Sequence, residues 1–372
     1  MILKFILNSI LVLILFSFKS CTHSLNIDDK LFVSGIGVDI NDDGDFFISL
    51  MYPDISEFSL ESSKIKGEGN VFGSGKTFYE ALDEIISKIN KRIDLEHVKI
   101  IVASSKLTND EKNFEKLADY LSHNSQISRR IYFSILDGEI NDFINFKPSS
   151  GEHIQVFVSE LLEHNGKENG INAITLNDLF KNFSQDKTIL IPVMKLSEDK
   201  KSVSINGSFV FHNFKFLKSL NIKDNMIISF LRGEGEKIFD NLNFNERNLD
   251  FECANVNRKI RVNGENGLNV FLNFYMKTII KNCINPNHDN LNENFIINLK
   301  MFIDEDIRIK SMALLNEFYQ DKIDILNIYN HVYKFKNKFW SNYLKHRDSW
   351  IRELKVDIKI DNNITNIGNI SF

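Results

Sequence analysis

The stretch Gly67-Glu68-Gly69-Asn70-Val71-Phe72-Gly73-Ser74-Gly75-Lys76-Thr77 comes closest to a site that could do chemistry. Glycines followed by a lysine and a threonine at a helix start suggest a loop whose backbone N–H groups cradle phosphates. The spacing fails, because that pattern needs a glycine where Asn70 stands. Gly73 and Gly75 read more simply as residues that let the chain turn tightly into a helix. The nine histidines are scattered, among them His97, His123, His153, His164, His212, His288, His331 and His346, and none stands at metal-ligand spacing. His97, just ahead of Val98-Lys99-Ile100-Ile101, reads as structural. There is no Gly-x-Ser-x-Gly elbow, and neither Cys253 nor Cys283 has a histidine setting that would activate a thiol. Asp304 with Asp306 reads as a solvated face, and Trp340 with Trp350 as aromatic anchors for the last helix. No catalytic residue, no metal site and no cofactor are expected.

Cys21 is the exception. Lys4 precedes an apolar block, Phe5 to Phe18, and Lys19-Ser20-Cys21 follows. The block has the length of a signal-peptide core and is shorter than the roughly 20 apolar residues of a membrane-spanning helix. A small residue before a cysteine fits a lipoprotein signal, with Cys21 acylated as the first mature residue. Phe18 and Lys19 depart from the aliphatic and small residues usual at those positions. A soluble protein cleaved nearby and an uncleaved N-terminal anchor stay open as alternatives. On the lipoprotein reading, residues 1–20 are removed, Cys21 carries a diacylglycerol and a fatty acid, and the chain faces the exterior side of a membrane.

The elements behind these residues read as mixed α and β. The 372 residues are too many for one ordinary core and suit two or three domains. With 45 basic against 50 acidic side chains, the chain has no nucleic-acid-binding footprint. Residues 31–40 and 45–52 form a hairpin about Asn41–Gly44, stopped by Pro53, with a polar loop to about Gly73. Thr77 and Glu80 have capping-box spacing, and Phe78, Ala81, Leu82, Ile85, Ile86 and Ile89 follow on one helical face. Val98–Ala103 is a strand, Thr108 with Glu111 opens a helix through Leu121, and Ile131–Leu136 is a strand. Helices at Ile154–Leu162 and Leu176–Phe183 and a strand at Thr188–Met194 follow. Strands alternating with helices imply an open sheet with helices packed on it. The polar break at Ser197–Lys201 marks the main boundary, giving domains 21–197 and 202–372, the latter open to a further division near residue 260 into a small middle domain and a terminal sheet-plus-long-helix domain. Beyond it come a strand at Ser202–Phe211, a helix at Ile222–Leu231 ending at Gly233, and extended chain over 234–280. One long helix covers most of Asn294–Tyr333. Residues 353–361 alternate charged and apolar, a strand with one face buried.

Several of these segments together resemble the Ger(x)C family, the lipoprotein C subunits of spore germinant receptors. They are Ser34–Asp39, the glycine-rich helix start Ser74–Ala81, the histidine-led strand Leu95–Val102, and Ser128-Arg129-Arg130 running into its strand. Asn206–Phe211, Leu231-Arg232-Gly233, Asp321–Ile325, Phe339-Trp340, Trp350 and the closing strand towards Gly368 complete the order. The resemblance implies serial α/β domains and a non-enzymatic subunit, lipid-anchored on the outer face of the inner spore membrane. Its partners would be an integral-membrane A subunit and a transporter-like B subunit, with no nucleic acid. Asp39, Gly75, Thr77, Glu80, His97, Arg130, Gly207, Gly233, Asp324, Trp340 and Trp350 are its candidate structural or interaction positions. From another functional class, a lipid-anchored extracytoplasmic solute-binding protein is the alternative.

Overall fold

The computed structural model describes residues 29–59, 64–235, 237–245, 247–263, 268–283, 293–335, 350–367 and 370–371. Cys21 with its signal segment, and Trp340, lie outside them.

After β1 (Lys30–Phe32), β2 (Gly35–Ile40) and β3 (Phe46–Ser59) form the expected hairpin. Asn41 shapes its turn, its side-chain oxygen accepting from the N–H groups of Asp43 and Asp45 at 3.0 and 2.9 Å. Pro53 does not stop β3. The strand runs on to Ser59, paired antiparallel with β4 (Lys64–Gly75), which occupies most of the expected polar loop. With few apolar residues of its own, β4 is specified by its partner strand and by the helix packed on it. That helix, α1 (Phe78–Lys88), buries Phe78, Ala81 and Ile85, whereas Ile86 is 52% exposed. The expected apolar face is therefore narrower than its spacing implies.

β5 (Arg92–Asp94) pairs parallel with β1, and β6 (Ile100–Ser104) enters the main sheet. Thr108 does not open the next long helix. It is buried inside the short α2 (Ser105–Asn109), and Asp110 caps α3 (Glu111–His123) by accepting from the N–H of Asn113 at 3.0 Å. β7 (Tyr132–Leu136), α4 (Ile140–Ile144), α5 (Ile154–Asn169), β8 (Ile174–Thr175), α6 (Leu176–Ser184) and β9 (Thr188–Leu196) follow. Ser197–Lys201, the expected domain boundary, is the turn of a hairpin. β10 (Val203–His212) pairs antiparallel with β9, and β11 (Lys215–Leu220) with β10. One nine-stranded sheet thus runs β11-β10-β9-β7-β6-β2-β3-β4, with β8 attached to β7. Its centre, β9-β7-β6-β2, is parallel and its two wings are antiparallel.

The rest of the chain builds a second sheet. α7 (Ile222–Arg232) leads to β12 (Lys237–Phe244), β13 (Arg247–Asn263) and β14 (Asn269–Cys283). The possible division near residue 260 falls inside β13. The single long helix expected next is two, α8 (Glu293–Gln320) and α9 (Ile328–Phe335). They part where Lys322 and Asn327 adopt positive φ, of 61° and 55°. β15 (Lys355–Ile367) and β16 (Ile370–Ser371) complete the order β12-β13-β14-β15-β16, in which only β14 and β15 are parallel.

Three apolar clusters hold these layers. One face of the first sheet packs on α1, α3 and α6, with Ile101 and Ala103 of β6 directed there. The other packs on α4 and α5, with Ile100 and Val102 directed there. The third cluster joins one face of the second sheet to α7, α8 and α9, and takes in Leu190, Val210 and Leu220 from the first sheet.

Candidate functional site

The N-terminal candidate positions turn out to be fastenings. Gly73 and Gly75 sit in β4 and not in a turn, and neither has a positive φ. A Cβ on Gly73 would stand 2.1 Å from the carbonyl oxygen of Ala81, and one on Gly75 2.6 Å from the Ala81 nitrogen. Glycine here lets α1 lie directly on the strand. Thr77 caps α1 by accepting from the N–H of Glu80 at 3.1 Å, while the Glu80 carboxylate reaches back one residue further, to the N–H of Lys76 at 2.9 Å. From the same helix the Glu84 carboxylate accepts from the Ser74 N–H at 2.5 Å, and Lys88 Nζ donates to the Phe72 carbonyl at 2.9 Å. Its ion pair with Lys88, and then the Ser74 N–H and hydroxyl, hold Glu84 down at a pKa of about 2. Together the Glu84 and Lys88 contacts satisfy groups on the outer edge of β4 that would otherwise invite another strand.

Asp39 accepts from the Ser104 hydroxyl, whose oxygen in turn accepts from the Leu107 N–H at 3.0 Å, so β2 is tied to the start of α2. His97 is exposed and meets Phe32 edge-on, with ring centroids 5.3 Å apart. Arg130 is exposed too. The structure gathers none of these into a shared site.

The later positions do converge, where β9 meets the second core. Gly207 occupies a bulge in β10 at φ 118°, and a Cβ there would stand 1.9 Å from the carbonyl oxygen of Leu220. Gly233 ends α7 in the left-handed conformation, with φ 69°. Asp324 caps α9, its two carboxylate oxygens accepting from the N–H groups of Ile328 and Tyr329 at 2.9 and 2.7 Å. Trp350 is buried and stacks near Tyr329 at 6.3 Å between centroids.

The residue that joins them is Arg232, at the end of α7. Its side chain is 6% exposed. Nε donates to the Ile325 carbonyl at 2.7 Å and Nη2 to the Thr188 carbonyl at 3.0 Å. Asn327 grips the same peptide: its amide donates to the Thr188 carbonyl at 3.1 Å and its oxygen accepts from the Thr188 N–H at 2.8 Å. Burial pulls the pKa of Arg232 down, against the charges of Glu234 and Asp324. A second arginine, Arg258, donates to the Leu231 carbonyl at 2.8 Å. On the same face of α7, one and two turns back, Ser229 and Asn225 both donate to the Gly170 carbonyl, at 2.6 and 3.1 Å.

Arg232 appeared in the sequence only inside a motif. The signal that could have singled it out is a lone arginine closing an apolar helix immediately before a C-cap glycine. Asn225 and Asn327 gave no such signal.

Among the described residues no group of three or more His, Cys, Asp or Glu side chains is placed to hold a metal ion. Cys253 is a free thiol, buried beside the Thr278 hydroxyl at 2.9 Å, and burial pushes its pKa up to about 12. At neutral pH it is a protonated, inert thiol. No described helix is long and apolar enough to cross a membrane.

Comparison with known proteins gives this junction a context. Residues 23–196 match the family model described as the spore germination protein N-terminal domain. Residues 206–368 match the model described as spore germination B3/GerAC like, C-terminal. Spore germination protein A3 of Bacillus subtilis (strain 168) is 23% identical over 252 residues, covering 67% of this chain and 66% of the relative. The crystal structure of the GerBC protein superposes with a TM-score of 0.60 at 14% identity, over 89% of this chain and 96% of that one, which shows a shared fold. The two family models meet between Leu196 and Asn206, inside the β9–β10 hairpin that the first sheet carries across. The chain belongs to the Ger(x)C family of spore germination proteins.

Proposed function

We propose that this protein is the lipid-anchored C subunit of a nutrient germinant receptor, held on the outer face of the inner spore membrane through acylated Cys21. It works by contact with an integral A subunit and a transporter-like B subunit and carries out no chemistry of its own. The observation that supports this most directly is the succession of the two germination-family models over residues 23–196 and 206–368. The geometry agrees with it. Most of the described candidate positions are caps or close approaches, and Arg232 beside them is a buried inter-sheet latch, which suits a rigid body that presents surfaces.

Two acyl chains give stable membrane attachment where one gives only marginal binding. Confinement to a surface also raises the effective concentration of partners in the same membrane, so modest contacts suffice. Cys21→Ala tests the anchor by fractionation: the variant is expected in the soluble fraction of disrupted spores, and retention on membranes would end the lipidation claim. Deleting the gene tests the role. Spores should stay viable and lose their response to particular nutrients; an unchanged response to every nutrient would refute the receptor assignment.

A further inference from the structure

The two ends of the first sheet carry opposite charge. Its parallel strands β2, β6, β7 and β9 all start at one end. β1 and β5 lie there, because β1 leads straight into β2; so does the β10–β11 turn, because His212 pairs with Thr188 at the start of β9. Lys91 and Arg92 stand at the start of β5, Lys99 precedes β6, Arg129 and Arg130 precede β7, and Lys215 starts β11. All six are exposed, and none is in an ion pair among the described residues. Of the acids at this end, Asp94 is taken by Lys30 at 2.8 Å, and Asp29, Glu96, Asp178 and Asp186 are outnumbered. β3 and β4 continue past this end to Ser59 and Lys64 as a ribbon on the flank away from β7 and β11. That ribbon is nearly balanced, with Asp54, Glu57 and Glu68 against Lys64 and Lys66.

The opposite end is acidic. Asp42 and Asp43 stand in the β2–β3 turn, Asp137 and Glu139 after β7, and Glu198 and Asp199 in the β9–β10 turn, all of them exposed. Lysines there are matched to acids: Lys106, Lys195 and Lys201 approach Asp42, Asp137 and Asp199 at 2.6, 3.9 and 3.9 Å. The chain enters at the basic end, through β1. Eight peptide steps lead from Cys21 to Asp29, a reach of at most about 29 Å. An anchor at Cys21 therefore holds the basic end nearest the bilayer. We infer that this end of the first sheet sits on anionic lipid headgroups, with the acidic end turned away from the membrane; the inference rests on the anchor proposed for Cys21. Unpaired lysines and arginines are attracted to lipid phosphates, and the exposed carboxylates at the far end are repelled by them. The attraction fades within a Debye length of about 8 Å at physiological salt. The acyl chains thus supply attachment, and the charges decide which way up the protein stands.

Cosedimentation of the mature chain, residues 21–372 carrying Cys21→Ala, with lipid vesicles tests this. The vesicles are phosphatidylcholine alone and phosphatidylcholine mixed with phosphatidylglycerol. Salt is set at about 0.01 M and about 0.15 M, where the Debye length is about 30 Å and about 8 Å. The protein should bind the mixed vesicles at low salt, ignore the neutral ones, and come off at the higher salt, in keeping with the loss of Cys21→Ala from spore membranes expected above. Each basic residue near an anionic surface strengthens binding roughly fivefold, so Arg92→Glu with Arg130→Glu should weaken it at least about tenfold. Lys195→Glu with Lys201→Glu changes the net charge equally at the acidic end and should bind as the parent does. All four side chains are exposed, so melting midpoints should not move. If either double variant fails to fold, the same positions changed to Gln make the same comparison. Absence of binding to phosphatidylglycerol vesicles, or equal binding to phosphatidylcholine alone, would overturn the inference. An equal loss in both double variants would overturn it too, by showing that net charge governs the contact and no particular face does. Failure here leaves the anchor standing, because the probe has no acyl chain, and fractionation of the Cys21→Ala spores judges the anchor by itself.

Discussion

The two sheets bury their strands in different ways. In the first, β6 is buried at every residue from Ile100 to Ser104, because helices cover both faces. In the second, buried and open positions alternate. On β14, Phe274 and Met276 are buried while Tyr275 and Lys277 are exposed, and on β15 Ile358 and Asn362 are buried while Lys359 and Asp361 are exposed. Among the described residues only one face of that sheet is covered, by α7, α8 and α9. The lesson concerns where information lies. A two-sided sheet is specified by continuous apolar runs and by what packs on each face. A one-sided sheet is specified by alternation within each strand.

This contrast can be broken by substitutions at adjacent residues. Phe274→Ala should cost about 3–5 kcal/mol, whereas Tyr275→Ala next to it should cost under about 1 kcal/mol. In β6 the neighbours Ile101 and Val102 belong to different clusters, so Ile101→Ala and Val102→Ala should each cost about 2–4 kcal/mol. Urea denaturation of the four variants measures this. A neutral Val102→Ala would show that the second face of the first sheet is not a packed core, and a severe Tyr275→Ala would remove the one-sided description of the second.

The join between the sheets should respond next most strongly. Arg232→Met keeps the bulk of the side chain but withdraws the donors to the carbonyls of Ile325 and Thr188. Thr188 keeps Asn327, and Ile325 loses its donor, so a cost of about 2–3 kcal/mol is expected. If the latch is what couples the two units, the variant should melt in two transitions where the native protein melts in one. A single transition with unchanged midpoint would show that the apolar contacts of Leu190, Val210 and Leu220 carry the coupling by themselves.

That join is also where the sequence was least legible. The α1 pattern, the β15 alternation and the Gly233 stop are local and could be read directly. Arg232 takes its partners from 44 and 93 residues away, so no window of sequence contains the interaction. The same holds for β4, whose few apolar residues become a strand only against β3, and for the hairpin that carries the first sheet past Ser197. The break between α8 and α9 was hidden for another reason. Apolar spacing continues through it, and what ends α8 is the left-handed turn at Lys322, where the N–H groups of Lys322 and Ile323 donate back to the carbonyls of Tyr319 and Phe318 before Asp324 caps the next helix. Of the candidate positions, the glycines were recognised as special, but the reason differed: Gly73 and Gly75 admit a helix backbone, where a tight turn was expected.

The smallest expected effect bears on the second sheet alone. Its buried face carries a polar chain, in which Cys253 meets the Thr278 hydroxyl and Thr278 donates to Asn362 at 2.8 Å. Asn362 lies beside Asp304 of α8, whose pKa is raised to about 6, chiefly by burial; the Asn362 amide and Lys300 pull it down, and Asp361 pushes it up. An acid whose pKa is higher in the folded state binds its proton more tightly there. Stability is therefore greatest below the unfolded value near ~4 and falls as pH rises towards the folded value. Above about pH 6 the ionised carboxylate carries the full cost. Asp304 keeps part of its exposure, so solvent screening limits that cost to about 1–2 kcal/mol. Asp304→Asn keeps the shape and removes the charge. The variant should match the native protein at pH 4 and exceed its stability by about that amount at pH 8, read from denaturation midpoints at each pH. A gain of the same size at both pH values would assign the effect to packing and leave no role for ionisation, and a loss at pH 8 would mean that the carboxylate is held by a partner stronger than its burial.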